Sequence, residues 1–541
     1  MQITWLDINS SYSHSSLALP AIECCKHERC NNWQKVSGTI GSDIFLITKE
    51  LYHSKPDIIA ATLWLFNHEI TLKICRRIKA LLPNCTIILG GPEFNGSNEL
   101  FLRTNTFISC VFRGEGEIEF HRWLECKNND WGDISGLCYI DAKGNYIDNG
   151  KAKVEDFGSL PAPETSKFFN FSTPFVQLET SRGCFNSCAF CVSGSDKPVR
   201  SQSIEKIRSR IDYIHSKGIK DLRILDRTFN YSGSRALALL ELFKNYDGMN
   251  FHLEIHPALL TDEIKAELAT MPKGMLHLEA GMQSLNNDVL IACNRRGENE
   301  KAIEGVKFLC SLTNFETHTD LIAGLPKYTY SQIVSDVKTL SSLKAGEIQL
   351  ELLKLLPGTK MRNDAAMIGI KYAIDPPYEV LETPWITLND LNKSRLLSKF
   401  LDKFYNAKGW QDVTRQLINE NNEFLDNFLS FMIDTELLEQ PLSLEKRGSL
   451  LYNYCKVNHP NYLQSISLQW IKNGMSLKRE EAGGVTKATE LPAHITAERS
   501  MHYYILQGEK RYIIGFDRSK EHSTPQIIEE IILADEQPQK A

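Results

Sequence analysis

Cys184, Cys188 and Cys191 stand in the run LETSRGCFNSCAFCVSG, spaced Cys-x-x-x-Cys-x-x-Cys. Three thiolates this close can grip one metal centre, and no fourth cysteine follows them. A [4Fe–4S] cluster normally takes four thiolates. Three leave one iron with an open position, and an open position is where a metal does chemistry rather than structure. Zinc is the competing occupant, but three-cysteine zinc sites recruit a histidine or a fourth cysteine nearby, and this loop offers none. A second cysteine-rich run, CCKHERC at 24–30, lies in an expected helix where Cys24 and Cys25 cannot face the same side, so it reads as structural. Cys75, Cys85, Cys110, Cys293 and Cys310 fall within apolar patterns and read as core.

The elements that must position this loop can be traced on both sides of it. In the first third, QITWLD, DIIAAT at 57–62, TIILGG and FISCVF at 107–112 read as strands, with a helix predicted over 68–82. Strands alternating with helices, with glycines at strand ends, predict a doubly wound parallel sheet, whose ligands bind outside the carboxyl ends of the strands. GLCYIDAKGNYIDNG predicts a hairpin that closes this domain. Two prolines and polar residues mark 151–170 as a linker. A second alternation follows, with strands in PFVQLET, LRILD, FHLEI, MLHLEAG, FETHTDLIAG and EIQLELL. Roughly six strand–helix units suit a partial or complete parallel barrel, with its active site at the strands' carboxyl ends. The three-cysteine loop directly follows the first of these strands. Asp226, Arg227, Glu254, Gln283, Ser284 and Asp320 fall at the ends of others. Singly they read equally well as helix caps and turn formers; their convergence on one face favours function. Beyond about residue 376 the pattern turns to amphipathic helices, with a hairpin around 507–510 and a frayed tail at 533–541.

The cysteine spacing, with Phe190 just before the last cysteine, resembles the radical S-adenosylmethionine superfamily. That resemblance implies three irons held by Cys184, Cys188 and Cys191, and S-adenosylmethionine on the fourth. One electron then releases methionine and a 5′-deoxyadenosyl radical. LEIHP, GMQSLN, NRR and DLIAGLP look like successive barrel motifs of this superfamily. They imply contacts to S-adenosylmethionine from Glu254, Gln283, Ser284, Arg295 and Asp320, with Phe190 near the adenine. The usual Gly-Gly-Glu run after the second strand is replaced by LDRTFN, which implies that Asp226, Thr228 or a backbone carbonyl takes the amino-group contact. PDIIAATLWLFN, TIILGGPEF and FRGEGEIEF resemble a cobalamin-binding domain, with Gly90, Gly91, Gly114 and Gly116 allowing close approach of the ligand. The Asp-x-His-x-x-Gly motif that supplies a lower cobalt ligand is missing. His14, in NSSYSHSSLA, is the nearest substitute and reads better as a hydrogen-bonding residue.

The expected architecture is α/β. It comprises a doubly wound, Rossmann-like cobalamin-type domain at 1–150, a linker at 151–170, a partial (β/α)6 radical barrel at 171–378 and a mainly helical domain of unknown function at 379–541. The expected cofactors are a [4Fe–4S] cluster, S-adenosylmethionine and cobalamin, with flavodoxin or ferredoxin as electron donor. Composition agrees with a folded protein of several domains: 541 residues, 42% hydrophobic, 24% charged, net charge −6. That charge argues against a nonspecific nucleic-acid coat. The start, MQITWLDINSSYSHSS, lacks the pattern of a secretory signal, and no apolar run predicts a membrane span, so a cytoplasmic protein with reduced thiols is expected. Three functions remain open at this point. The first is cobalamin-dependent methyl transfer or rearrangement. The second is radical chemistry with the N-terminal domain serving substrate binding, and the third is a non-catalytic metal-binding scaffold.

Overall fold

The computed structural model describes residues 1–25, 32–126, 130–295, 297–491, 495, 501–508, 510–517 and 525–532. Its contacts divide the chain into two compact units, Met1–Ile333 with Glu351–Leu391, and Val334–Leu350 with Asn392–Ala541.

The first unit opens with a seven-stranded sheet of β1 (Gln2–Asn9), β2 (Asn32–Thr39), β3 (Ile58–Thr62), β4 (Thr86–Gly90), β5 (Cys110–Phe112), β6 (Leu137–Ile140) and β7 (Tyr146–Asp148). Their order is β2-β1-β3-β4-β5-β6-β7, parallel through β5 and antiparallel in the closing hairpin. Period-two alternation feeds two cores. Leu6, Ile8, Ile59, Ala61, Ile87 and Leu89 pack on one face, and Ile3, Trp5, Ile58, Ala60, Ile88 and Phe112 on the other. Each such buried aliphatic side chain contributes about 1.5–3 kcal/mol of transfer free energy. The order reverses between β1 and β3, so the ends of these strands open a crevice where such sheets take ligands. The strand expected at 107–112 is shorter, Cys110–Phe112, and β2, whose sequence NWQKVSGT is largely polar, joins as an edge strand.

The second sheet comprises β8 (Val176–Leu178), β11 (Asp221–Ile224), β12 (Asn250–Ile255), β13 (Leu276–Gln283), β14 (Thr317–Ala323) and β15 (Glu347–Leu352). They are neighbours in chain order, and the two units divide within β15. Between β8 and β11 a two-residue pair, β9 (Ser181–Arg182) and β10 (Arg200–Ser201), forms a separate small hairpin. Helices Ile204–Ser216, Gly233–Phe243, Asp262–Thr270 and Asn299–Ser311 alternate with the strands. Ser203 and Thr261 cap two of them, each side-chain oxygen accepting from a backbone N–H of the first turn. In β12, β13 and β14 buried apolar residues alternate with half-buried polar ones, so one face packs on helices and the other carries His252, Glu254, His277, Glu279, His318 and Asp320.

The second unit is mainly helical, with helices Gln411–Glu420, Phe424–Asp434, Leu444–Asn458 and Leu463–Lys472 and a four-stranded antiparallel sheet that includes the hairpin Met501–Leu506 and Lys510–Asp517. Its core holds Trp410, Trp470, Phe404, Phe424 and Phe428. Both indole N–H groups are satisfied, by Leu444 O at 2.8 Å and Ser476 O at 3.0 Å. Gly448 admits the Trp410 ring, which would lie 2.1 Å from any added Cβ. The tail at 533–541 lies outside the described residues, as does Cys30 of the CCKHERC run.

Candidate functional site

The cysteines occupy a loop whose neck is the β9–β10 pair. Gly183 enters it at φ +88, and its Cβ position would lie 2.7 Å from Asp196 O, so only glycine fits there. Backbone bonds close the loop on itself, from Cys184 N to Asp196 O at 3.0 Å, Cys191 N to Cys188 O at 3.2 Å and Gly194 N to Cys191 O at 3.1 Å. A further bond from Ala189 N to Cys293 O, 2.8 Å, fastens it to the barrel. Cys188 is buried while Cys184 and Cys191 are half-buried, as is Phe190. Burial pushes the Cys188 thiol up, against the pull of Arg295, whose guanidinium stands 3.6 Å from its sulfur. Among the described residues no three His, Cys, Asp or Glu side chains are drawn together closely enough to hold a metal ion as they stand. The fit to a cluster therefore rests on the donor set: three thiols of one loop, Cys184 and Cys191 both within electrostatic reach of Cys188, beside a cation.

Several expected cofactor residues meet around Gly281. An added Cβ there would lie 2.6 Å from Gln283 Nε2 and 3.9 Å from both Arg295 and Asp320 Oδ2, so the missing side chain leaves a cradle at their meeting point. Arg295 also donates to Gly281 O. A bulge at this point of the β13–β14 pairing, with Gln283 at φ +69, turns that side chain out of the strand's regular alternation. Below the cradle runs a polar ladder. His252 Nε2 lies 3.0 Å from Glu279, His318 Nε2 lies 3.1 Å from Asp320, and the His252 and His277 rings stack at 4.6 Å. Burial, then the neighbouring His252 and His318, bring His277 down to about 4. Burial raises Asp320, whereas the hydrogen bond from His252 lowers Glu279.

Two expected residues also make local hydrogen bonds. Asp226 is 1% exposed and accepts from Thr180 N and Ser181 N, each at 2.8 Å, and from the Thr180 hydroxyl. So engaged, it organises the turn into the cysteine loop. Ser284 is fully buried, and its hydroxyl accepts from Asn286 N at 3.0 Å.

At the carboxyl ends of the first sheet lies a cavity of about 640 Å³. Gly90, Gly91, Gly114 and Gly116 all line it, with His14, Trp64 and Phe66. Gly91 and Gly114 owe their identity to positive φ and to backbone within 2.7 Å and 2.2 Å of a would-be Cβ; Gly90 and Gly116 meet nothing closer than 3.6 Å. His14 bonds Ser11 at 2.9 Å and lays its ring edge-on to Phe175, in keeping with a hydrogen-bonding role. The neck and flank of the cysteine loop also line it, through Ser181, Arg182, Gly183, Val192, Ser193 and Asp196. Glu254, Gln283, Arg295 and Asp320 lie outside this lining, on the barrel face. The carboxylates Glu115, Glu117 and Glu179, which pair with Arg182, escaped the reading of the sequence.

A glycine-lined crevice and the neck of the cysteine loop of a parallel barrel thus line one cavity, the arrangement expected of a radical S-adenosylmethionine barrel beside a B12-binding domain. Comparison with known proteins agrees. Residues 178–340 match the radical SAM superfamily, residues 46–123 the B12 binding domain, and residues 367–478 a domain of unknown function, DUF4080. The chain is 26% identical over 391 residues to the uncharacterized methyltransferase PH0819 of Pyrococcus horikoshii, covering 67% of this chain and 81% of that one. It is 22% identical over 333 residues to the cobalamin-dependent radical SAM methyltransferase TokK of Streptomyces tokunonensis, covering 57% of this chain and about half, 48%, of that one. Among solved structures, TsrM from Kitasatospora setae with cobalamin and a [4Fe–4S] cluster has the same fold at a TM-score of 0.58 and 15% identity, covering 70% of this chain and 82% of that one. The cobalamin-dependent radical enzyme OxsB does so at 0.60 and 15% identity, covering 88% of this chain and 81% of that one. The cofactors of this class are a [4Fe–4S] cluster and S-adenosylmethionine, and its chemistry needs a reductant and a substrate. Among the described residues no helix is long and apolar enough to cross a membrane.

Proposed function

We propose that this chain is a cobalamin-dependent radical methyltransferase, and the shared cavity is the observation that carries the reading. Glycine-lined strand ends of the first domain and the loop bearing Cys184, Cys188 and Cys191 are two walls of one space. Those three thiols would hold the [4Fe–4S] cluster, which on reduction supplies a 5′-deoxyadenosyl radical from S-adenosylmethionine. Arg295, beside both Cys188 and Gly281, is suited to a carboxylate, and Gln283 and Asp320 to amino and hydroxyl groups. Cobalamin would lie against Gly90, Gly91, Gly114 and Gly116, where nothing on a side chain keeps a flat ligand away. Methyl transfer is preferred over rearrangement because PH0819 and TokK are both named methyltransferases. A small redox protein such as flavodoxin or ferredoxin would supply the electron.

Anaerobic reconstitution with iron and sulfide tests this. A brown protein that releases 5′-deoxyadenosine on reduction, and that retains hydroxocobalamin through gel filtration, is the expected result. Cys188→Ala should lose the cluster absorbance. A reconstituted protein that forms no 5′-deoxyadenosine would refute the enzyme reading. One that forms it without retaining the corrinoid would instead favour a first domain used to bind substrate.

A further inference from the structure

Arg182 and Arg200 stand directly opposite each other across the β9–β10 neck of the cysteine loop. Like charges so placed repel, and these side chains are only 12% and 7% exposed, so water does little to separate them. Glu115 answers both. It receives Arg200 at 2.7 and 2.9 Å and stands 3.5 Å from Arg182. Glu117 takes Arg182 at 2.6 Å. Glu179 and Asp196 add local partners at 2.8 and 3.2 Å. Burial disfavours the Glu115 carboxylate, yet Arg200 and Arg182 outweigh it and hold the group below its ordinary value.

Glu115 and Glu117 belong to the glycine loop after β5, not to the barrel. That loop has backbone anchors of its own, and Arg200 also donates to Val154 O. Gly114, at φ +99, lies so close to Ala152 that an added Cβ would be 2.2 Å from its carbonyl oxygen. Glu115 N donates to Ala152 O at 3.0 Å, and Val154 N donates to the Glu115 carboxylate at 2.7 Å.

We propose that Glu115 is the positioning residue of the cysteine loop: by spanning both neck arginines it makes closure of that loop depend on the seating of the neighbouring domain's glycine loop. The two walls of the cavity then move as one electrostatic body. The inference concerns the apoprotein; only its bearing on the cluster rests on the function proposed above.

Removing one partner of a buried ion pair leaves an uncompensated charge, which costs more than removing both. Glu115→Gln should therefore open the neck, and the double variant Glu115→Gln with Arg200→Gln should close it again. Hydrogen exchange of the full-length apoprotein, followed in fragments covering 183–199, reads this without any cofactor. The single variant should exchange about tenfold faster there and the double close to the parent rate, while fragments covering 276–283 stay unchanged in both. In the reconstituted protein, iron loss to a ferrous chelator should follow the same order. Unchanged exchange in the single variant, or a double variant no slower than the single, would overturn the proposal. Should Glu115→Gln not fold, Glu115→Asp keeps the charge but shortens its reach and should give an intermediate rate; a parent-like rate there counts against it. Failure to form 5′-deoxyadenosine would leave these exchange results untouched.

Discussion

On the barrel face of β12, burial lifts the Glu254 carboxyl from an ordinary 4.5 to about 7, with Arg227 and His252 opposing and Glu279 and Asp320 adding to the effect. An acid whose folded value exceeds its unfolded one binds its proton more tightly in the native state, so stability falls as pH rises between those two values. The contribution across that window is on the order of 3 kcal/mol. Glu254→Gln should flatten it: urea titrations of the apoprotein at pH 5 and pH 7.5 should differ less in the variant than in the parent. An unaltered difference would show that another group carries the slope. Within the neighbouring ladder, burial holds His277 down at about 4, below this window.

At the scale of elements, a buried ion pair helps tie the linker to the barrel, beside the bonds from Lys206 to Gly158 O and Leu160 O. Glu164, 2% exposed, takes both Nε and Nη2 of Arg210 at 2.7 and 2.8 Å, on the helix Ile204–Ser216. Glu164→Ala should cost about 3–5 kcal/mol because it strands a buried guanidinium, a loss measurable by chemical denaturation. A loss below about 1 kcal/mol would mean that water reaches Arg210. Such pairs explain where sequence reading stops. β3, β4 and the helix His68–Leu81 were legible because their apolar residues recur at the period of the element. β2 was not, because an edge strand buries too little to show a pattern. The cysteine loop declared itself through local spacing. Glu115 and Arg200, 85 residues apart, carry no local signal of their partnership. Nor can the sequence show that Asp226 accepts from Thr180 and Ser181, about 45 residues away.

For the whole molecule, the cavity is lined both by the glycine-bearing strand ends of the first sheet and by the neck of the cysteine loop, so a ligand filling it should register on both. Hydroxocobalamin at a hundredfold excess over its dissociation constant should stabilise the fold by about 2.7 kcal/mol. It should also slow exchange in fragments around Gly90–Gly91 and around Val192–Asp196 together. Protection confined to the first sheet would mean that the corrinoid does not reach the cysteine loop. The ion pairs at the loop's neck also bear on how the protein is made. Synthesis proceeds from the N-terminus, and domains tend to fold as they emerge. Glu115 and Glu117 therefore leave the ribosome ahead of the arginines they will hold, within a sheet that can form before any cysteine of the loop is translated. The nascent loop closes onto a finished surface, and a chain shortened from its N-terminus past Glu117 would carry a thiol loop whose neck arginines lack their partners from the first domain.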